Sequence, residues 1–315
     1  MKARHSPKSQ KLVLLILPLL AVVMISGCTS TGGGATFGPG VVILNWEPTF
    51  SAVEEGDSVQ FRLRMQNQGE VTATSVDPQI IGITPEDWQI STYSGGFLGS
   101  SELVPPDRFR NTEGQIRQDT YDAVAPDLPR GTTQTFTPQI RVYYHYRTTA
   151  SKLVTLVNDQ ELKRLQDKGQ TLSSKDTISS SGPLKVTVNA GKFIKAKEMG
   201  GVSRAFPISI DIQNVGGGVV STRGASANDY QVGFNMPTTN SGRLNIGNCL
   251  TGGSSYAGSA VTLWKGQSAT VTCTATISSS LLASEEVNMM IVLEYDYYID
   301  ASTSVTVTGN ELGMF

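Results

Sequence analysis

The histidine, cysteine and acidic side chains are the residues of this chain that could carry out catalysis. The chain has two histidines, His5 near its start and His145 in a strand-like run. A nucleophilic mechanism requires a base beside the nucleophile, and His145 lies on the polar side of its run, where an exposed strand residue is expected. No HExxH, paired CxxC, phosphate-binding glycine loop or EF-hand pattern occurs. The sequence therefore predicts no catalytic residue, no metal site and no cofactor, and a protein that is not an enzyme.

Three sets of acidic side chains could bind calcium through loop oxygens. Ordinary solvated turns are the simpler interpretation of all three. The sets are Glu54, Glu55 and Asp57; Asp119, Asp122 and Asp127; and Asp296 with Asp300.

A group of tyrosines could form a stacking platform for carbohydrate. Because strand side chains alternate between faces, four of them share a face with isoleucine and leucine and are predicted to lie in the core: Tyr144, Tyr146, Tyr295 and Tyr297. Only Tyr143 and Tyr298 are then expected to point outward.

The N-terminus has a basic region, an apolar run from Leu12 to Ile25 and then Ser26-Gly27-Cys28. This order resembles a prokaryotic lipoprotein signal, which implies removal of residues 1–27, lipid attachment at Cys28 and a flexible tether over residues 28–40. An uncleaved membrane helix stays open, although about fourteen apolar residues fall short of the ~20 that span a bilayer. In both cases we expect a cell-membrane protein whose remaining chain faces the outside.

The two other cysteines, Cys249 and Cys273, remain once Cys28 is assigned to lipid. An even pair in an exported domain is most simply a disulfide, with two unpaired buried thiols as the alternative. Cys273 shares a face with Val271 in an alternating run, so its sulfur is expected to point inward.

Composition and charge suit an extracellular all-β protein. Charged residues make up 17% of the 315-residue chain. Four of the 25 basic residues lie in residues 1–27, which contain no acid, so the remainder has 21 bases against 27 acids. A mildly acidic body without basic runs predicts no nucleic-acid partner.

One stretch of the chain occurs twice. Ile140–Tyr146, followed by Ala150–Leu156, aligns without a gap with Ile291–Val307, and apolar residues recur with a period of two in both. The pattern predicts a β-hairpin made twice, each closing one domain.

The start of each predicted domain is also similar. An alternating strand leads to Asn67-Gln68-Gly69 in the first half and to Asn214-Val215-Gly216 in the second. This order resembles the Ig-like repeats of prokaryotic, notably archaeal, surface proteins, in particular the adhesion-related module called CARDB. The resemblance implies two Ig-like antiparallel β-sandwiches that present loops and sheet surfaces.

The segment between the predicted domains contains one helix signal. Asn158 is a suitable N-cap, and Gly169 a suitable C-terminal stop. We therefore predict a first sandwich over residues 41–157, a helix and linker over 158–183 and a second sandwich over 184–315. Residues 83–130 show no counterpart of the strand predicted at Ala269–Ile277.

These patterns together predict a non-enzymatic, lipid-anchored surface protein for adhesion or envelope structure. Its partner would be another surface protein or an envelope polymer. A ligand-binding accessory lipoprotein that captures sugar or peptide is the alternative and would need an aromatic-lined pocket. A hydrolase built on residues 83–130 is a third possibility.

Overall fold

The computed structural model describes residues 38–90, 102–196, 205–221, 230–251, 254–255, 260–277 and 281–310. Nearly all of their regular structure is strand, which confirms the predicted all-β class with antiparallel sheets. In chain order the first half contains β1 (Val41–Pro48), β2 (Ala52–Glu54), β3 (Ser58–Asn67), β4 (Thr74–Ile81), β5 (Ile116–Val124), β6 (Thr133–Phe136), β7 (Gln139–Asn158) and the helix α1 (Asp159–Asp167). The second half contains β8 (Thr177–Ser179), β9 (Leu184–Asn189), β10 (Ile194–Ala196), β11 (Phe206–Asn214), β12 (Val219–Val220), β13 (Gln231–Thr239), β14 (Leu244–Thr251), β15 (Ser254–Ser255), β16 (Ala260–Thr262), β17 (Ser268–Ile277), β18 (Ser284–Ser302) and β19 (Val305–Thr308).

Two unusually long strands, β7 and β18, form the centre of the fold, and we call this pair the central ribbon. They pair antiparallel without a register shift from Gln139–Ser302 to Val157–Ser284. The two hairpins predicted from the repeat are therefore wrong. Residues 140–156 are one continuous strand, and β19 pairs with β2 and β6 rather than with β18.

The two copies of the repeat pair with each other. His145 lies opposite Asp296, and these are also the residues that the repeat aligns with each other. When two similar strands pair antiparallel, an approximate twofold axis passes through the residues that are both aligned in sequence and paired in the sheet. The two halves of the ribbon are therefore related by a twofold rotation about an axis through the His145–Asp296 pair. Further sheets then form beside each half of the ribbon.

The layers beside the ribbon differ in size between the two halves. In the first half β1, β3 and β5 form a three-stranded sheet, and β4 pairs with the start of β7. In the second half β15, β14, β17, β11 and β9 form a five-stranded sheet, and β13 pairs with the start of β18. All the described residues belong to one compact unit, and both halves share the ribbon strands. The boundaries predicted at residues 158–183 stay a prediction.

Strand β5 was missed in the sequence. It pairs with β3 as β17 pairs with β11, so the first half does contain a counterpart of the strand predicted at Ala269–Ile277. Its alternation is hidden because Arg117 and Asp119 occupy inward positions, with side chains 14% and 2% exposed and 2.8 Å apart. A buried carboxylate tolerates such a position when it is paired and hydrogen-bonded.

The predicted helix is present as α1. The Asn158 side chain accepts a hydrogen bond of 2.8 Å from the Glu161 backbone N–H, and Gly169 has a φ of 66° just beyond the helix. None of its residues is buried, as expected for a helix on the surface. Among the described residues, no helix has the length and apolar character needed to cross a membrane.

Candidate functional site

The outer face of the central ribbon has a row of paired polar side chains, which we call the ladder. Each rung joins a residue of β7 to the residue opposite it on β18. The rungs are Arg141–Asp300, Tyr143–Tyr298, His145–Asp296 and Arg147–Glu294.

The contacts within the ladder are specific. Arg141 donates from Nε and Nη2 to the two carboxylate oxygens of Asp300 at 2.8 and 2.7 Å, and its guanidinium lies 3.9 Å from the centre of the Tyr298 ring. His145 Nδ1 is 2.8 Å from an oxygen of Asp296. The Tyr143 and Tyr298 rings are 5.4 Å apart and tilted by 58°, so they do not form a flat platform for a sugar ring.

The charges of the ladder are separated by strand. Its basic residues lie on β7, and its carboxylates lie on β18. The hydrogen bonds with Asp300 raise the pKa of Arg141 further above its ordinary value, so this rung stays charged. The groups of the ladder are paired side by side along the two strands, whereas catalytic groups converge on a substrate.

Exposed apolar side chains continue the outer face along the ribbon beyond the ladder. Ser151 of β7 pairs with Met290 on β18 and with Ile178 on β8. Leu153 is two residues further along β7. Side chains two apart on a strand share a face, so these residues belong to the same surface as Arg147. We call Leu153, Ile178 and Met290 the apolar row; they are 40, 76 and 47% exposed.

The inner face of the ribbon contains the four tyrosines predicted to lie in the core, and the prediction is confirmed. They are 3% exposed or less: Tyr144, Tyr146, Tyr295 and Tyr297. Tyr295 is 2.8 Å from the Thr148 hydroxyl and accepts from the Leu184 backbone N–H at 3.2 Å. The tyrosines thus bind the ribbon to the chain segments that cover it.

The Asn-x-Gly turns are part of the same arrangement, and their role was not visible in the sequence. Tyr146 accepts from the Val71 N–H at 3.1 Å, and its repeat counterpart Tyr297 accepts from the Gly218 N–H at 2.8 Å. Each accepting hydroxyl meets the turn that follows Asn67 or Asn214. The sequence feature that could have indicated this role is the equal spacing of asparagine and glycine in the two halves.

Burial of these tyrosines predicts a loss of stability at alkaline pH. Burial raises the pKa of Tyr146 and of Tyr297 to about 12, whereas a free tyrosine titrates near ~10. Above pH ~10 the unfolded chain releases tyrosine protons that the folded protein retains. The free energy of unfolding therefore falls as pH rises from ~10 to ~12, by up to ~1.4 kcal/mol per pH unit for each tyrosine. Below pH ~10 the contribution is fully present.

Urea unfolding between pH 8 and 12 measures this dependence. Tyr146→Phe and Tyr297→Phe should each flatten the decline, and the double variant should flatten it further. An unchanged slope in the double variant would show that these hydroxyls do not control alkaline unfolding.

Most of the acidic groups considered as calcium ligands have other partners. Asp57 Oδ2 accepts from the Glu54 N–H at 2.9 Å, and Glu55 accepts from the Leu128 N–H at 3.1 Å, as in solvated turns. Asp119 and Asp122 do not lie in turns, because both belong to β5. The described residues contain no group of three or more His, Cys, Asp or Glu side chains placed to hold a metal ion.

The described residues include two of the three cysteines, Cys249 and Cys273. Cys249 and Cys273 lie opposite each other on β14 and β17 and are joined by a disulfide, with their Cα atoms 3.9 Å apart. Cys28, the predicted lipidation site, lies outside the described residues and stays a prediction.

One open cleft lies beside the apolar row. It has a volume of about 570 Å³ and includes Ile178, Ser181, Lys185 and Val215 in its lining. Its lining contains no aromatic residue. This cleft therefore lacks the aromatic lining expected of a pocket that captures sugar or peptide.

No protein-family model and no curated protein matches the chain. Among solved structures, the adhesin InvE of Yersinia pseudotuberculosis aligns over 84% of this chain at 13% identity with a TM-score of 0.18, and the chain spans only 58% of its length. A Porphyromonas gingivalis W83 protein of unknown function aligns over 75% of this chain and 83% of its own at 11% identity and a TM-score of 0.19. The collagen adhesin of S. aureus aligns over 85% and 92% at 11% identity and a TM-score of 0.12. Likeness at this level carries no argument about function.

Proposed function

We propose that this chain is a non-enzymatic surface protein, anchored to the membrane by a lipid on Cys28, that acts in adhesion or envelope structure. The observation that carries the proposal is the outer face of the central ribbon. It is a sheet surface of paired charges and exposed apolar side chains, without the convergent titratable groups of a catalytic cleft.

Two further features support the proposal. The order of basic residues, apolar run and Cys28 resembles a lipoprotein signal, and the Cys249–Cys273 disulfide suits an oxidising compartment outside the cell. The partner that binds this face would be a protein or a polymer large enough to cover several strands.

The first test concerns Cys28. The wild-type chain is expected to partition with membranes, to carry a lipid and to be cut by protease added outside intact cells. Cys28→Ser should lose the lipid and retain residues 1–27, while its circular dichroism and melting temperature match the wild type, because the change replaces only one sulfur atom by oxygen. Wild-type protein with an intact Met1, or released into the medium, would contradict the anchor.

Adhesion is tested separately with cells that display the full chain. These cells should retain labelled fragments of the native envelope, and Arg141→Glu should reduce the retention because it reverses one charge of the ladder. Equal retention by cells without the protein would contradict an adhesive role.

A further inference from the structure

The ladder leaves its charged groups accessible although each group has a partner in the same chain. The Arg147 and Glu294 side chains are 52% and 50% exposed, and their nearest charged atoms are 3.9 Å apart. His145 and Asp296 are 42% and 37% exposed. Exposed pairs of this kind contribute little to folding stability, so their regular placement along the ribbon calls for another role.

The separation of charge by strand restricts what can cover this face. A polyanion that covers it would meet the carboxylates of β18, and a polycation would meet the basic residues of β7. The surface that complements it has acids over β7 and bases over β18. A second copy of this chain has that arrangement if it is turned over about an axis that runs along the ribbon.

That rotation exchanges the two sides of the ribbon and leaves the level along its axis unchanged. Because each rung joins residues at one level, Arg147 of one copy comes to face Glu294 of the second copy, and Glu294 of the first faces the second copy's Arg147. The other rungs meet in the same way. Sheets that pack face to face lie about 10 Å apart with nearly aligned strands, which long side chains can bridge.

The apolar row supplies the hydrophobic part of the same interface. It lies on the same outer face as Arg147, beyond Thr149, and the rotation places Met290 opposite Ser151 of the second copy and beside that copy's Ile178. Met290 and Ile178, which are 47% and 76% exposed in one chain, would be covered by the contact. Burial of apolar surface supplies affinity, and complementary charge sets the orientation.

We propose that this protein self-associates into a twofold dimer through the outer face of the central ribbon. This goes beyond the proposed function, because the dimer can form whether or not Cys28 is lipidated.

A charge-exchange experiment tests the dimer. Full-length chains with two different tags are co-expressed, and one tag is used to recover the other. Arg147→Glu alone should reduce recovery about tenfold or more, because like charges opposite each other are strongly unfavourable, and Glu294→Arg alone should do the same. Arg147→Glu on one chain with Glu294→Arg on the other should restore recovery, since every rung of that mixed dimer is complementary.

Two controls separate association from folding. Arg164→Glu reverses an arginine of similar exposure in the Glu161–Arg164 pair on α1, and its recovery should equal that of the wild type. The melting temperatures of all variants should lie within a few degrees, because exposed pairs contribute little to stability.

Salt concentration gives an independent readout, since screening at 1 M reduces the range of charge interactions to about 3 Å and should lower wild-type recovery. Absence of wild-type self-association would overturn the proposal. So would recovery that the single reversals do not reduce, or that their mixture does not restore.

Discussion

Replacement of Asn67 by alanine is expected to destabilise the protein by about 3 kcal/mol or more. The residue has no exposed surface, and its amide donates to the Val71 and Leu103 carbonyls at 2.9 and 2.7 Å. Its oxygen accepts from the Gly69 N–H at 2.9 Å. Alanine leaves these buried groups without their partner, and each such group costs ~1–3 kcal/mol.

Urea unfolding of Asn67→Ala measures the loss, and Asn235→Ala is the matched control. Asn235 is exposed on β13, so its replacement should change the free energy of unfolding by less than ~0.5 kcal/mol. A loss below ~1 kcal/mol in Asn67→Ala would mean that water or a shifted turn replaces these hydrogen bonds.

Gly69→Ala tests the same turn through its packing. A Cβ at this position would lie 2.0 Å from the Tyr146 hydroxyl oxygen and 3.0 Å from the Gly40 Cα. The tyrosine or the turn must therefore move, and the hydrogen bond from the Val71 N–H to Tyr146 would be lost. Tyr146→Phe combined with Gly69→Ala should partly relieve the effect, because it removes the oxygen that clashes.

Loss of the Cys249–Cys273 disulfide should have the second large effect. The bond closes a segment with a sequence separation of 24, and the chain-entropy model then gives a stabilisation of ~3 kcal/mol. Cys273→Ala should lower the free energy of unfolding by that amount or more, because Cys273 is completely buried and its replacement also removes packed atoms.

The double variant Cys249→Ala and Cys273→Ala lacks the unpaired thiol that the single variant leaves, so its stability reports the bridge together with the packing. Wild-type protein treated with a reductant keeps both sulfur atoms, so its smaller loss of stability measures the bridge alone. Two reactive thiols from these positions in unfolded, unreduced protein would contradict the bridge.

Local patterns in the sequence determined the class of structure and the identity of several core residues. The period of two placed Tyr144, Tyr146, Tyr295 and Tyr297 on an inward face, and their burial confirms this. Asn158 and Gly169 marked the ends of the helix. These predictions succeeded because side-chain direction within a strand and capping at a helix end depend on residues only a few positions apart.

The sequence pattern failed where the partner of a segment decides its structure. The repeat predicts a hairpin that turns at residues 147–149, because these polar side chains are typical of a turn and nothing local shows that Thr148 is buried. Pairing with β18, far along the chain, makes this segment a continuous strand. Similarly, Asp119 concealed β5, since only its burial beside Arg117 identifies it as an inward residue.

The candidate site shows the same division. The sequence by itself determined that Tyr143, His145 and Tyr298 point away from the core. Only the tertiary structure decided that Arg141 faces Asp300 and that the two copies form one sheet. The physical reason is that alternation specifies the face of a side chain, whereas register depends on the summed interactions between strands that are distant in sequence.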